Sequence, residues 1–214
     1  MSLISEIFGI VLRSLMISGV ATLLATLWST PISLALLISE SRISKVIQDI
    51  FNSLVSIPTV LLGLFLYMIL SRSGPLGFTG ILYTPLAISI GEAILVTPLM
   101  VSVTTTSLKK IKDRVWETAI ALGATKLQAS QVLLREGISQ VVRSILIGFN
   151  RAIGELGIAL MIGGNIRGYT RVMTTAIALE VIKGNFELAM SLGVVFLLIT
   201  ASLTILVGIL GVRE

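Results

Sequence analysis

The chain has 214 residues, of which 55% are hydrophobic and 13% are charged, with a formal net charge of +5. Soluble domains carry about 25% charged residues, so this composition excludes an ordinary soluble globular protein. Neither Cys nor His occurs, which excludes disulfides, thiolate metal sites and the commonest general base. The mean hydropathy of +1.02 predicts a protein in a lipid bilayer, where basic loops rather than nucleic-acid binding explain the positive charge.

Several uncharged apolar runs are longer than the roughly 18 residues that indicate a transmembrane helix. We predict five spans, at about residues 12–38, 50–71, 85–107, 141–163 and 188–211. The runs are continuous rather than alternating with period two, which favours helices over a transmembrane barrel. The predicted fold is therefore an all-α integral membrane protein, with residues 1–214 forming a single transmembrane domain.

The segments between the predicted spans contain turn signals and one ambiguous region. Gly and Pro residues mark turns between the second and third spans, in RSGPLGFTGILYTP. Residues 171–187 are partly apolar and allow a short helix that dips back toward the membrane. Pro31, Pro58 and Pro98 lie inside predicted spans, where each removes a backbone hydrogen bond and bends the helix. These bends either shape the packing or serve a bundle that rocks between two conformations.

The distribution of basic residues predicts the orientation of the chain. Lys and Arg are concentrated in Glu40–Lys45, in residues 108–140 and at the C-terminus. With five spans, these segments lie on the same side of the membrane. Because basic loops are usually cytoplasmic, we expect the N-terminus outside and the C-terminus in the cytoplasm.

Residues 109–136 have the pattern of a charged helical hairpin. Ile111, Val115, Ala119 and Leu122 recur at helical spacing on one face. Gly123 follows at a position where a left-handed residue often ends a helix. Thr125 and Gln128 have the spacing of a capping box, which predicts a second helix that runs to about residue 135. Such a hairpin either lies along the membrane surface or docks into another protein.

Glu92, Arg151 and Glu155 are charged residues well inside predicted spans, where each ionised group costs about 2.5–3.5 kcal/mol. Arg151 and Glu155 are four residues apart and can neutralise each other on one helix face. They are either a structural pair or part of a pathway or gate. Glu92 has no charged neighbour in sequence, so we expect a basic partner on another span, or a protonated carboxyl group. Gly163, Gly164 and Asn165 predict an unwound turn at the end of the fourth span.

Two sets of residues carry a resemblance to a known family. Glu117-Thr118-Ala119 followed by Gly123 resembles the EAA motif of ABC importer permeases. The downstream Leu133–Glu136 segment lacks the proline that this family often has there. NRAIGELGIALMIGGNIRGYT is similar to a segment of molybdate, sulfate and tungstate permeases. SRSGPLG, LYTPLAI and GEAILVTPLM resemble the tungstate branch most.

The resemblance implies a type I ABC importer architecture of the methionine and molybdate permease kind, with about five spans and a cytoplasmic coupling-helix hairpin. It implies a homodimer in the membrane of a bacterium or archaeon, two ABC ATPase subunits that bind ATP and Mg, and an extracytoplasmic oxyanion-binding protein. The chain itself is expected to bind no cofactor and to catalyse no reaction, since it has no Walker A loop. The implied ATPase-coupling residues are Glu117, Thr118, Ala119 and Gly123. The candidates for the pathway or gate are Glu92, Asn150, Arg151, Glu155, Gly163, Gly164 and Asn165.

Other functions remain open at this point. An ABC permease can carry another solute, such as sulfate or an amino acid. A secondary transporter or channel can use Glu92 and Glu155 as a proton relay. A membrane scaffold without transport activity is a third class.

Overall fold

In the computed structural model, the described residues are 3–39 and 41–212, and within them the chain is helical, with no strand. Nine α-helices are formed by these residues, in addition to a 3₁₀ turn at Gly77–Thr79. In chain order the α-helices are α1 (Leu3–Ile38), α2 (Arg42–Leu54), α3 (Thr59–Leu70), α4 (Pro85–Ala121), α5 (Lys126–Glu136), α6 (Ile138–Ile153), α7 (Gly157–Gly163), α8 (Met173–Ile182) and α9 (Phe186–Val212).

Three of these helices, α1, α4 and α9, are long and apolar enough to cross a membrane without interruption. Two further spans are formed only if each bent pair of helices counts as one: α2 with α3, and α6 with α7. By length and composition, the described residues therefore form between three and five candidate spans. The predicted segments 12–38, 85–107 and 188–211 each lie within one continuous helix.

The predicted span at 50–71 is not one helix. Its first residues belong to α2, and α3 begins at Thr59 at an angle of 100° to α2. Pro58 is the residue that precedes α3, not an interior residue of a helix. The residue before a proline disfavours helical backbone angles, which explains why α2 ends before this point. Pro31 and Pro98, by contrast, do lie inside α1 and α4.

The predicted span at 141–163 is also divided, by a 61° bend between α6 and α7. The backbone N–H of Ile158, in the first turn of α7, donates a hydrogen bond to the Glu155 carboxylate (3.2 Å). A side chain that accepts from a helix N-terminus stabilises a new helix start. Gly157 lies against α3, where an added Cβ would be 2.9 Å from Thr59 Oγ1 and 3.0 Å from the backbone nitrogen of Val60. The break therefore lets α7 approach α3 closely.

The centre of the bundle is formed by α1, α4 and α6, which cross through small residues. Ala21, Ala25, Ala93 and Ala152 are all fully buried in one cluster, together with Val96 and Met100. Small side chains allow helix backbones in a membrane to approach each other closely. A second cluster joins α3, α4 and α7 and consists of Leu66, Leu70, Ala87, Leu95, Ile158 and Ile162.

The substitution Gly91→Ala tests the close packing of α4 against α7. An added Cβ at Gly91 would lie 2.6 Å from Ile158 Cγ2 and 2.8 Å from Ile162 Cδ1. Because these side chains are buried, we expect the variant to lose about 1–3 kcal/mol of stability, measured as a lower thermal unfolding midpoint in detergent. Gly193→Ala in α9 is the control, since its Cβ meets nothing within 4 Å. An unchanged midpoint for Gly91→Ala would contradict the packing described here.

Candidate functional site

The hairpin at residues 109–136 consists of the last part of α4, a turn and α5. Gly123 has a φ of +86°, which glycine adopts without a Cβ penalty. The Thr125 hydroxyl accepts from the N–H of Gln128 (3.3 Å), and the Thr125 N–H donates to Gln128 Oε1 (2.8 Å). The predicted left-handed glycine and capping box are thus confirmed. The first arm is not a separate helix, however, because α4 continues into it from the membrane span without a break.

An apolar cluster joins the hairpin to the rest of the bundle. Leu133 of α5 packs with Leu108 of α4 and Leu37 of α1, and Ile111 and Val115 lie against this cluster. Three of the four residues of the predicted apolar face are accordingly buried or partly buried: Ile111, Val115 and Ala119. Leu122 is the exception, with 83% of its surface exposed. The reason is that α4 ends at Ala121, so the chain turns away at that point.

A groove of about 450 Å³ lies between the two arms of the hairpin. It is lined by Arg114, Val115, Thr118, Ala119, Leu122, Ala124, Val132 and Glu136. Leu122 and Leu127 are exposed at the tip by 83% and 70%. Of the four coupling candidates, Thr118 and Ala119 line the groove and Gly123 forms the turn. Glu117 is exposed and is not among the lining residues. Exposed apolar side chains next to charged groups are suited to binding another protein.

A second polar cluster lies within the bundle at the break between α6 and α7. Arg151 Nη1 donates to Glu155 Oε2 at 2.8 Å, as the spacing predicted. Glu155 is 3% exposed, whereas the Arg151 side chain is 38% exposed. The Thr174 hydroxyl donates to the backbone carbonyl of Glu155 (2.8 Å). Glu155 therefore neutralises Arg151 and stabilises the start of α7 at the same time.

Glu92 lies beside this pair on α4 and is 2% exposed. Ser18 of α1 lies next to its carboxyl group, and Arg151 and Glu155 are close enough to interact with it electrostatically. Its Oε2 atom has no hydrogen-bond partner in the described part of the chain. The ion pair that the sequence predicted for Glu92 is thus not formed there, because Arg151 donates to Glu155 instead. Asn150 donates from Nδ2 to Thr204 Oγ1 of α9 (3.2 Å).

The predicted unwound turn is formed by Gly164 and Asn165, whereas Gly163 is the last residue of α7. Gly164 and Asn165 have φ values of +68° and +50°. The Gly163 carbonyl accepts from the Thr170 hydroxyl, and Asn165 Oδ1 accepts from Arg171 Nε (3.2 Å). The predicted site residues therefore form three separate groups: the hairpin, the cluster at the α6–α7 break, and this turn.

A cluster of ion pairs at the end of the bundle opposite the hairpin was missed by the sequence interpretation. Glu6 pairs with Arg167 at 2.7 Å, and Glu180 pairs with Lys183 at 2.9 Å and with Arg171 at 3.9 Å. Glu6 raises the pKa of Arg167, and the hydrogen bond from Lys183 lowers the pKa of Glu180. The spacing of Glu180 and Lys183 was a usable helix signal. The contact of Glu6 with Arg167 joins distant parts of the chain and had no local signal.

Comparisons with known proteins agree with this architecture. Residues 29–213 match the family described as binding-protein-dependent transport system inner membrane component. The tungstate uptake system permease protein TupB of Peptoclostridium acidaminophilum is 37% identical over 91% of this chain and 86% of its own. A probable anion ABC transporter permease protein of Haloferax volcanii is 34% identical over 94% of this chain and 87% of its own. A chain of the inward-facing MetNI methionine ABC transporter superposes with a TM-score of 0.70, at 16% identity, over 99% of this chain and 96% of that chain.

The burial of the Arg151–Glu155 pair predicts an asymmetric response to mutation. Arg151→Gln leaves a buried carboxylate without its partner, which typically costs about 3–5 kcal/mol. Glu155→Gln leaves Arg151, which is partly exposed, and should cost less. We expect a lower thermal unfolding midpoint for Arg151→Gln than for Glu155→Gln, and partial recovery in the double variant. Equal, additive losses would show that the two side chains are not coupled.

Proposed function

Because this chain belongs to the family of binding-protein-dependent transport system inner membrane components, and is the permease subunit of an ABC importer, we propose that its cargo is a tetrahedral oxyanion, most specifically tungstate. The observation that carries this proposal is the likeness to a tungstate permease over nearly the whole chain. A further relative named as an anion permease supports the oxyanion class. Molybdate is the alternative oxyanion, and sulfate or an amino acid is the alternative solute.

The hairpin at residues 109–136 is, in this proposal, the element through which ATP hydrolysis drives transport. Its apolar groove and exposed Leu122 and Leu127 offer a docking surface for a separate ABC ATPase that binds ATP and Mg. Thr118 and Ala119 contribute to that surface, Gly123 sets its turn, and Glu117 is exposed beside it. Closure of two ATPase subunits draws two hairpins together. The first arm is continuous with α4, so this movement reaches the membrane span directly.

The assembly that we propose is a homodimer in the cell membrane, with residues 1–214 forming one permease domain in each copy. Three to five spans are few for a chain to enclose a pathway by itself. Only 6% of the most apolar stretch of α9 is buried within the chain, which leaves this helix available to lipid or to a second copy. The excess of Lys and Arg around the hairpin favours a cytoplasmic hairpin and an N-terminus outside. An extracytoplasmic oxyanion-binding protein delivers the anion to the outer face.

The pathway in this proposal passes the cluster at the α6–α7 break. The candidate pathway residues there are Glu92, Asn150, Arg151 and Glu155. The turn at residues 163–165 is a further candidate, at the other end of α7. Arg151 is already paired with Glu155, and Glu92 adds a further carboxyl group. An anion is therefore not held tightly there, and selectivity rests with the binding protein.

A secondary transporter is the second candidate, favoured by one observation. The Oε2 atom of Glu92 is buried and has no hydrogen-bond partner among the described residues. A buried carboxyl group without a strong partner is suited to carrying a proton in such transporters. This function predicts flux without an ATPase, which distinguishes it from ATP-driven import.

Uptake measurements test the proposed cargo. Proteoliposomes that contain the complete complex, with the binding protein outside, should accumulate tungstate only when ATP is enclosed inside with the ATPase side. An excess of molybdate should compete more effectively than sulfate. Metal analysis of the washed vesicles gives the accumulated amount. ATP-independent flux through the chain alone would favour the secondary transporter, and ATP-driven uptake of an amino acid but not tungstate would overturn the oxyanion cargo.

Two hairpin variants test the docking surface. Leu122→Asp places a charge at an apolar tip position without disturbing the core, and Gly123→Pro cannot adopt the φ of +86° at the turn. Both should abolish uptake and reduce ATPase co-purification by at least about tenfold, the loss of about 1.4 kcal/mol of binding free energy.

Ile182→Asp is the matched control, since Ile182 is 82% exposed and lies outside the hairpin, at the end of α8. It should retain the ATPase. If Leu122→Asp and Gly123→Pro also retained the ATPase and full uptake, the hairpin would not be the docking element.

A further inference from the structure

The helix α2 has a geometry that differs from that of the spanning helices. It meets α3 at 100°, so when α3 crosses the membrane α2 lies approximately along its surface. Its exposed apolar residues recur at helical spacing on one side: Ile43, Val46, Ile47, Ile50 and Leu54. Arg42, Lys45, Gln48 and Asp49 supply polar side chains elsewhere on the same helix. This pattern is typical of an amphipathic helix at a membrane interface.

The position of α2 is fixed by hydrogen bonds to the end of α1. The Leu36 carbonyl, one of the last in α1, accepts from the Ser44 hydroxyl (3.1 Å) and from Gln48 Nε2 (3.3 Å). The carbonyl groups in the last turn of a helix lack partners within the helix, so these two side chains of α2 satisfy one of them. A third link joins the other end of α2 to α4, where the Ser102 hydroxyl donates to Asn52 Oδ1 (2.6 Å).

A cavity of about 290 Å³ lies between α1, α2 and the start of the first hairpin arm in α4, apart from the groove between the two arms of the hairpin. Its lining includes three lysines from two helices, Lys45, Lys109 and Lys112, and one carboxylate, Asp113. Lys45 and Lys109 are exposed and have no ion-pair partner in the part of the chain that the structure describes. The remaining lining residues are Leu36, Leu37, Ser39 and Gln48. Lys45 and Lys109 therefore place two cations without an ion-pair partner among the described residues next to apolar side chains.

The depth of the cavity matches the headgroup region of a bilayer. Lys109 and Lys112 directly follow the long uncharged stretch of α4 that begins after Glu92. Leu36 and Leu37 stand at the end of the apolar helix α1. The lysines of this cavity thus lie where the spans leave the hydrocarbon, at the level of the interfacial helix α2.

We propose that this cavity binds the headgroup of an anionic phospholipid of the cytoplasmic leaflet, with Lys45 and Lys109 contacting the phosphate. Basic pockets between transmembrane helices on the cytoplasmic side are suited to such headgroups. The apolar side of α2 contacts the acyl chains of the same leaflet. The cytoplasmic position rests on the orientation given under the proposed function. The bound lipid joins α1, α2 and the first arm of the hairpin, and so stabilises the base of the hairpin.

Native mass spectrometry tests this site with the full-length protein and any partner subunits that purify with it. Phosphatidylglycerol is the anionic probe and phosphatidylcholine the neutral one, each titrated to obtain a dissociation constant. We expect tighter binding of phosphatidylglycerol. The double variant Lys45→Gln/Lys109→Gln should weaken that binding roughly thirtyfold, the effect of two basic groups at a charged lipid surface, and leave phosphatidylcholine binding unchanged.

The double variant Lys110→Gln/Lys126→Gln is the matched control. It removes the same charge from two exposed lysines of α4 and α5 that do not line the cavity, and it should bind phosphatidylglycerol as the unmodified protein does. An equal loss in both double variants would mean general surface attraction and would overturn the site. So would equal affinity of the unmodified protein for the two lipids.

A second experiment, with soluble anions, distinguishes a lipid headgroup from a free oxyanion as the ligand of this cavity. Sodium phosphate or sodium tungstate, added at constant ionic strength in phosphatidylcholine, should not raise the thermal unfolding midpoint through Lys45 and Lys109. If either anion did so, and phosphatidylglycerol did not, the cavity would be a free-oxyanion site and the lipid proposal would be wrong. Neither the mass spectrometry nor the unfolding measurement uses ATP or transport. If the unmodified protein bound phosphatidylglycerol no more tightly than phosphatidylcholine but still carried out ATP-driven uptake, only this inference would be overturned.

Discussion

The constraint on which this structure depends is that backbone N–H and C=O groups inside a bilayer must find partners within the protein. The helix is interrupted within the predicted fourth span, and side chains and a backbone group of other segments supply partners at the two ends of α7. Glu155 accepts from the N–H of Ile158, and Thr174 donates to the Glu155 carbonyl. At the other end of α7, the Ile162 carbonyl accepts from the N–H of Tyr83 (2.9 Å). The 61° bend is thereby a defined feature of the fold.

The same constraint gives Glu155 two structural tasks that are hard to separate. Its Oε2 atom pairs with Arg151 on α6, and its Oε1 atom accepts from the backbone at the start of α7. A movement of α6 relative to α7 would have to break or stretch one of these bonds. A change in the angle of this bend therefore costs the free energy of a hydrogen bond of Glu155. Such a cost allows two alternative packings of α6 and α7 to be distinct states.

The mechanical link between the hairpin and the membrane follows from the continuity of α4. This helix has 37 residues, which corresponds to a length of about 55 Å at 1.5 Å per residue. Its membrane part packs along α1, and its last turns form one arm of the hairpin. Leu37, Leu108 and Leu133 join α1, α4 and α5 at the base of that arm. In the proposed function, a force applied by an ATPase at the hairpin tip would therefore reach α1 and α4 together through helix rather than loop.

The features that the sequence predicted correctly are those set by neighbouring residues. The left-handed Gly123 and the Thr125–Gln128 capping box depend on a few adjacent positions, and so does the Arg151–Glu155 pair. The direction of a helix is not encoded in that way. Hydropathy measures how apolar a segment is but not where it bends, so residues 50–71 and 141–163 were each interpreted as one span. Pro58 was the available signal for the first bend, whereas the second depends on the contact of Gly157 with α3.

Contacts between distant parts of the chain determine which charged residues within the spans pair with each other. Glu92 was expected to find a basic partner on another span, and Arg151 is close enough to interact with it electrostatically, yet Arg151 donates its hydrogen bond to Glu155. The result is one cation among two carboxyl groups, in a region of low dielectric constant where unscreened repulsion is strong. If the cargo is the oxyanion proposed above and its path passes this cluster, it meets no uncompensated positive charge there. This arrangement favours a route through which an anion passes without resting, since conduction requires binding weak enough for release.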